Sequence, residues 1–214
     1  MLMSWDQQLQ QILHKSPEMP AQRMRFHLER ALPNLPWLLQ QNEKSIWFTG
    51  FGLSLAPILF AQYNCQVWAT DCSQVAIQHL KQHQRVSWAE YLPDWPALLT
   101  QHKLSTPSHP PLMLHIQQQD FCVYAPPIAQ DLIFNTRALF CLPLQQQKHA
   151  LCHFFQCLRP GGLLVLEFHI LSTQQRHAIQ SQLKAIGYQD AKDTQSAKDD
   201  TTKMFLLRTI MPNV

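Results

Sequence analysis

Two glycines, Gly50 and Gly52, are followed by an acidic residue, Asp71, 19 positions after Gly52. Glycine lets a backbone approach a ligand closely. An acid about 20 residues further on can accept hydrogen bonds from ribose hydroxyls. The chemistry that this spacing fits is the holding of a nucleoside-bearing ligand. Each part also has a plainer reading alone: Gly50-x-Gly52 as a tight turn, and Asp71 as a turn or helix-cap residue. The nicotinamide fingerprint needs a third glycine where Leu55 stands, and the phosphate-loop pattern G-x-x-x-x-G-K-[ST] does not occur in the sequence.

Such residues need a strand before each of them and a helix after. Ile46-Trp47-Phe48 reads as a short buried strand, the turn Thr49-Gly50-Phe51-Gly52 follows, and Leu53 to Gln62 reads as a helix with Pro57 near its first turn. Gln66 to Thr70 is a second strand ending at Asp71, and Ser73 is placed to cap a helix over Gln74 to Gln82. Leu112 to Ile116 is a third strand with Asp120 just beyond it, and Asp131 to Phe134 is a fourth. A helix over Gln145 to Leu158 ends at the turn Arg159-Pro160-Gly161-Gly162, and the apolar run Leu163 to Phe168 is the pattern of a strand covered on both faces. Thr173 to Ile186 is a helix stopped by Gly187, and Met204 to Ile210 is a closing strand. Strands alternating with helices predict an α/β fold with a doubly wound, mostly parallel sheet. The first 40 residues, helical over Trp5 to His14 and Gln22 to Leu32 but broken by Pro17 and Pro20, predict an N-terminal helical cap on a domain spanning 41–214. Whether that cap only stabilises the domain or folds over the site as a lid stays open.

Composition narrows the partners. Of the 214 residues only 14% are charged, the formal net charge is +3, and no run is rich in Lys or Arg, so nucleic acid is not an expected partner. No apolar run approaches the roughly 18 residues of a membrane span, and the N-terminus is too polar for a signal peptide, which predicts a cytoplasmic protein without a membrane partner. The six cysteines form no C-x-x-C pair and read as reduced thiols. His149 and His153, spaced i, i+4 beside Cys152 and Cys157, have zinc-compatible spacing, but Leu151, Phe154, Phe155 and Leu158 around them favour helix-core histidines, and no metal is expected.

The block Asp131-Leu132-Ile133-Phe134, a loop, a helix, then Leu158-Arg159-Pro160-Gly161-Gly162-Leu163 resembles the fourth and fifth strand units of class I S-adenosylmethionine (SAM) methyltransferases. Within them, the stretch from Ser45 to Phe168 is most similar to the thiopurine S-methyltransferase family. The matching runs are Phe51-Gly52-Leu53-Ser54-Leu55-Ala56, Thr70-Asp71-Cys72-Ser73, Gln119-Asp120-Phe121-Cys122, and Asp131 through Asn135, Arg137-Ala138-Leu139 and Leu142-Pro143. The resemblance implies a Rossmann-like sheet of seven strands and SAM as cofactor. It implies that Gly50 and Gly52 lie against the amino-acid part of SAM, that Asp71 holds the ribose, and that Asp120 takes the adenine amine with Phe121 packed nearby. It places Asn135 near the methionyl part. The chain departs from the family where an acid–arginine pair becomes Asn135-Thr136, with Arg137 one position later, and where the loop lysine and acid become Leu53 and Ala56. Arg137 is then either an acceptor-positioning residue or a surface ion-pair partner.

The reaction implied is methyl transfer to a small-molecule acceptor. A thiol or selenol nucleophile fits best, because an ionised soft nucleophile needs positioning and exclusion of water more than a base. Asn135-Thr136-Arg137-Ala138 is not the N/D-P-P-Y/F loop of many nucleobase amine methylases. Two alternatives stand beside it: a catalytically silent SAM-binding or protein-interaction module of the same fold, and an O- or N-methyltransferase of a small metabolite.

Overall fold

The structure, a computed structural model, describes residues 4–15, 27–107, 112–136, 138–167, 173–190 and 203–208. Arg137 and Phe168 therefore lie outside the described residues, as does the first part, 22–26, of the second expected N-terminal helix.

The chain runs α1 (Trp5–Lys15), helical residues 27–31, a 3₁₀ turn (Leu32–Asn34), α2 (Leu35–Leu39), β1 (Ser45–Thr49), α3 (Ala56–Gln62), β2 (Gln66–Asp71), α4 (Gln74–Gln82), α5 (Trp88–Tyr91), α6 (Trp95–Gln101), β3 (Leu114–Gln118), β4 (Gln130–Thr136), a 3₁₀ turn (Ala138–Cys141), α7 (Leu144–Cys157), β5 (Leu158–Glu167), α8 (Thr173–Ile186), β6 (Tyr188–Asp190) and β7 (Lys203–Arg208). The strand order is β3-β2-β1-β4-β5-β7-β6. The first five pair in parallel, whereas β7 runs antiparallel to both β5 and β6. The parallel part of the sheet thus has five of the seven strands. The last two strands depart from the parallel run: Tyr188–Asp190 is only three residues long and pairs antiparallel with β7.

Alternation along the strands divides the interior in two. Ile46, Phe48, Val67, Ala69, Leu132, Phe134, Leu163 and Val165 face one cluster, shared with α3, α4 and Trp88, Trp95 and Leu98 of the α5–α6 segment. Leu28, Leu32, Leu35 and Leu38 are fully buried in that same cluster, so residues 27–39 are built into the core. Trp47, Trp68, Ile133, Leu164 and Leu166 face the other cluster, with Ala150, Leu151 and Phe154 of α7 and Leu183 of α8. Residues 119–129, which carry the chain from the edge strand β3 across to β4, contain no helix. They cover the second face themselves with Phe121, Tyr124 and Ile128.

Several local signals act as the sequence implies. Ser73 caps α4 by accepting the Ala76 N–H, and Pro57 sits in the first turn of α3. The Arg159-Pro160-Gly161-Gly162 stretch is a correction: it is the start of β5, not a turn ahead of it, and pairing with β4 shifts register between Gln130 and Leu132. Gly161 has φ 76°, and a Cβ on Gly162 would stand 2.9 Å from the Arg159 carbonyl oxygen, so the irregularity needs both glycines. None of the six cysteines is in a disulfide. Among the described residues no helix is long and apolar enough to cross a membrane.

Candidate functional site

The carboxyl ends of β1, β2, β3 and β4 bring the sequence-selected residues to one end of the sheet. In an open α/β sheet this is where ligands bind, between strands whose connections leave in opposite directions. Here that point lies between β1, which leads to α3, and β4.

Asp71 closes β2 and is only 5% exposed. Its Oδ2 accepts the Gly52 N–H at 2.8 Å and its Oδ1 accepts the Ser73 N–H at 2.8 Å. The carboxylate therefore ties the glycine loop to the start of α4 while each oxygen retains acceptor capacity. Burial raises its pKa, the Gly52 and Ser73 N–H groups oppose the rise, and the charge of Asp6 adds to it. Asp6 belongs to α1, and the Ser73 hydroxyl donates to its Oδ1 at 2.5 Å. The first turn of α1 is thus held next to the β2 end, a contact that no sequence signal marked.

Gly50 and Gly52 both have positive φ, 60° and 55°. The two differ in surroundings. A Cβ on Gly50 would lie 2.1 Å from the Ala138 Cβ, whereas a Cβ on Gly52 would meet nothing within 4 Å. Gly52, whose N–H faces Asp71, opens on space wide enough for a ligand to approach the backbone. Between and beyond them Phe51, Leu53, Leu55 and Ala56 are buried. The positions where the resembled family carries lysine and acid are interior here, which accounts for their apolar residues. His79 of α4 is buried and neutral over most of the pH range: burial first, then the neighbouring His83, pushes its pKa down to about 4, against a hydrogen bond to the Leu53 carbonyl.

Asp120 is exposed just beyond β3, and its Oδ1 accepts the Cys122 N–H at 2.8 Å, which shapes the turn that follows. Phe121 turns inward, with its ring centroid 5.7 Å from Phe154 and an edge atom 3.7 Å from where a Gly50 Cβ would be. The same loop is held from α7 by His153, whose Nε2 lies 2.7 Å from the Tyr124 carbonyl oxygen. That is the use of this histidine, and among the described residues no group of three or more metal-ligating side chains comes together.

Asn135, at the end of β4, is fully buried and bonded to Thr49 and Leu139. Asp131 lies at the opposite end of the sheet. Its Oδ2 accepts from the Ser45 N–H at 2.9 Å and the Ser45 hydroxyl at 3.0 Å, and Arg159 stands 3.8 Å from its Oδ1. Asp131, which opens the motif block that points to the fold, is therefore part of a staple at the amino end of β1, β4 and β5, remote from the site.

No protein-family model matches the sequence. No curated protein sequence matches it either. Solved structures do. The TehB-like SAM-dependent methyltransferase of Corynebacterium glutamicum is 15% identical, with a TM-score of 0.58 over 89% of this chain and 96% of that one. The N-methyltransferase NodS of Bradyrhizobium japonicum, in complex with S-adenosylhomocysteine (SAH), is 17% identical, with a TM-score of 0.59 over 97% and 99%. Magnesium protoporphyrin IX methyltransferase of Synechocystis, with bound SAM, is 14% identical, with a TM-score of 0.56 over 88% and 84%. The chain has the fold of the SAM-dependent methyltransferases.

Proposed function

We propose that the protein is a SAM-dependent methyltransferase acting on a small-molecule acceptor. The observation that carries this reading is the Asp71 carboxylate, held by the Gly52 N–H beside an open face of the glycine loop. A nucleoside with vicinal hydroxyls finds there an acceptor for its ribose and a backbone it can approach. The neighbours with SAM or SAH bound support the choice of cofactor.

In this reading Gly50 and Gly52 receive the amino-acid part of SAM, Asp71 the ribose and Asp120 the adenine amine. The cofactor supplies a methyl group activated by its sulfonium. The chain's own residues bind and orient it: the buried carboxylate draws hydroxyl donors, and Phe121 with the loop to Tyr124 limits water on one side. The acceptor is proposed to be a thiol- or selenol-type nucleophile, as the resemblance of Asp131 to Pro143 to the thiopurine S-methyltransferase family implies, with Arg137 positioning it. A silent SAM-binding module is the second reading. It draws on Asn135, whose amide is taken up by contacts inside the protein where the resembled family carries an acid.

Calorimetric titration with SAM is the first test, and millimolar SAM without heat or saturation would remove both readings. Transfer of label from methyl-labelled SAM to a panel of thiols and phenols then separates enzyme from silent binder. Asp71→Ala is expected to weaken SAM binding at least tenfold, as loss of a charge-assisted pair implies. Arg137→Ala is expected to leave SAM affinity unchanged and reduce acceptor use. Equal loss of SAM affinity in both variants contradicts these assignments.

A further inference from the structure

We infer that Asn135 is a positioning residue that latches the glycine loop to the turn after β4, rather than a group that touches the cofactor. Its ligand readout rests on the SAM reading above; its structural readout does not. Asn135 pairs with Thr49 across β4 and β1, at the last position of that pairing. Its Nδ2 donates to Thr49 Oγ1 at 2.8 Å and lies 3.4 Å from the Thr49 carbonyl oxygen. Its Oδ1 accepts the Leu139 N–H at 3.0 Å. Both ends of the amide are occupied, and the side chain is 0% exposed. At 0% exposure no atom of the amide reaches a ligand, so contact would require the side chain to leave this position and break its buried bonds, which costs the desolvation of whatever is left unpaired.

The same two segments meet a second time. Thr49 precedes Gly50 and Leu139 follows Ala138. Gly50 and Ala138 approach so closely that a Cβ on Gly50 would lie 2.1 Å from the Ala138 Cβ. The amide of Asn135 and the missing Cβ of Gly50 are thus two halves of one joint, placed where the β1–β4 ladder has ended and can no longer fix the chains. A neighbouring pair on β2 continues it: Gly50 N donates to the Thr70 carbonyl at 2.8 Å, and Thr70 Oγ1 accepts from Trp47 Nε1 at 2.8 Å. Thr70, Thr49 and Asn135 form a buried polar row across β2, β1 and β4. It fixes the height at which the glycine loop leaves the sheet. The cofactor loop and the turn that begins at Ala138 are therefore in register with each other.

A double-mutant cycle tests the latch. Thr49→Val removes the hydroxyl at constant shape, Asn135→Ala removes the amide, and the third protein carries both. The readouts are SAH affinity by calorimetry and the exchange rate of the Leu139 amide. Thr49→Val, which does not touch Leu139, is expected to speed exchange at Leu139 and to weaken SAH about three- to tenfold, the loss of one buried hydrogen bond. Asn135→Ala does more of both, and the double variant is no weaker than Asn135→Ala. Unchanged Leu139 exchange in Thr49→Val, or losses that multiply in the double variant, overturns the latch and makes Asn135 a ligand contact. Should Asn135→Ala not fold, Thr49→Val alone carries the decision. Wild-type protein that fails to bind SAH refutes the SAM reading, and the exchange cycle still decides the latch.

Discussion

The two loop glycines carry the same backbone conformation for different reasons. Gly50 is glycine because Ala138 fills the space its Cβ would take, and Gly52 because its backbone must turn while leaving room in front of Asp71. Alanine at the two positions should therefore fail differently. Gly50→Ala combines a steric overlap with left-handed strain and is expected to cost about 3 kcal/mol of stability. Gly52→Ala bears the strain alone, about 1–2 kcal/mol, but places a methyl where the ligand would lie, so its SAM affinity should fall while the fold persists. Chemical denaturation and SAM titration of the two variants check this. Equal loss of stability in both would show that the Ala138 contact does not matter.

At the scale of elements, the β2–α4 unit holds the glycine loop through Asp71, which accepts the Gly52 N–H, while α4 buries His79 close to the next residue, Leu53. His79 has a pKa lowered from the ordinary 6.5 to about 4, by burial and then by His83. As pH falls below 6.5 the unfolded chain takes up this proton first, so stability is lost between 6.5 and about 4 and no further loss comes from this group below. The loss is on the order of 3 kcal/mol, from 1.36 kcal/mol per unit. His79→Gln removes the titration. Urea unfolding at pH 7 and pH 4.5 should show a steeper decline in the wild type than in the variant, and parallel declines would refute the assignment. The loop over 119–129 makes a related point. With no helix between β3 and β4, His153 and Trp47 position the chain that carries Asp120 and Phe121, so part of the site is held from α7 and β1.

Over the whole molecule, residues 67 positions apart act on one carboxylate. Asp6 of α1 meets Ser73, and its charge adds to the rise that burial gives Asp71. Ribose hydroxyls bind the ionised form best, so SAM affinity should fall as pH drops through this pKa, which burial raises from the ordinary 3.8. Asp6→Asn removes one of the raising causes while keeping an oxygen for the Ser73 hydroxyl. It should move the loss of affinity to lower pH, which SAM titrations at successively lower pH can read. A midpoint that stays in place, or moves upward, would show that α1 does not act on the site electrostatically.

The α/β alternation, the glycine turn, the Ser73 cap and the acids after β2 and β3 were legible in the sequence, because each depends on periodicity or on residues a few positions apart. Gly50, Gly52, Asp71, Asp120 and Phe121 do come to one end of the sheet. Pairing was not legible. Thr49, Thr70 and Asn135 carry no local signal, and only the register of β2, β1 and β4 places them in one buried row. Asp131 belongs to a motif that identifies the fold, yet it stands at the far end of the sheet, bound to Ser45 86 residues earlier. Arg159 to Gly162 reads as a turn by composition, but pairing with β4 draws it into a bulged strand. Sequence thus determined which residue types reach the ends of the strands. Tertiary structure decided which of them remain open to a ligand and which are used up holding the strands together, because a buried polar group takes whatever partner the fold brings within 3 Å.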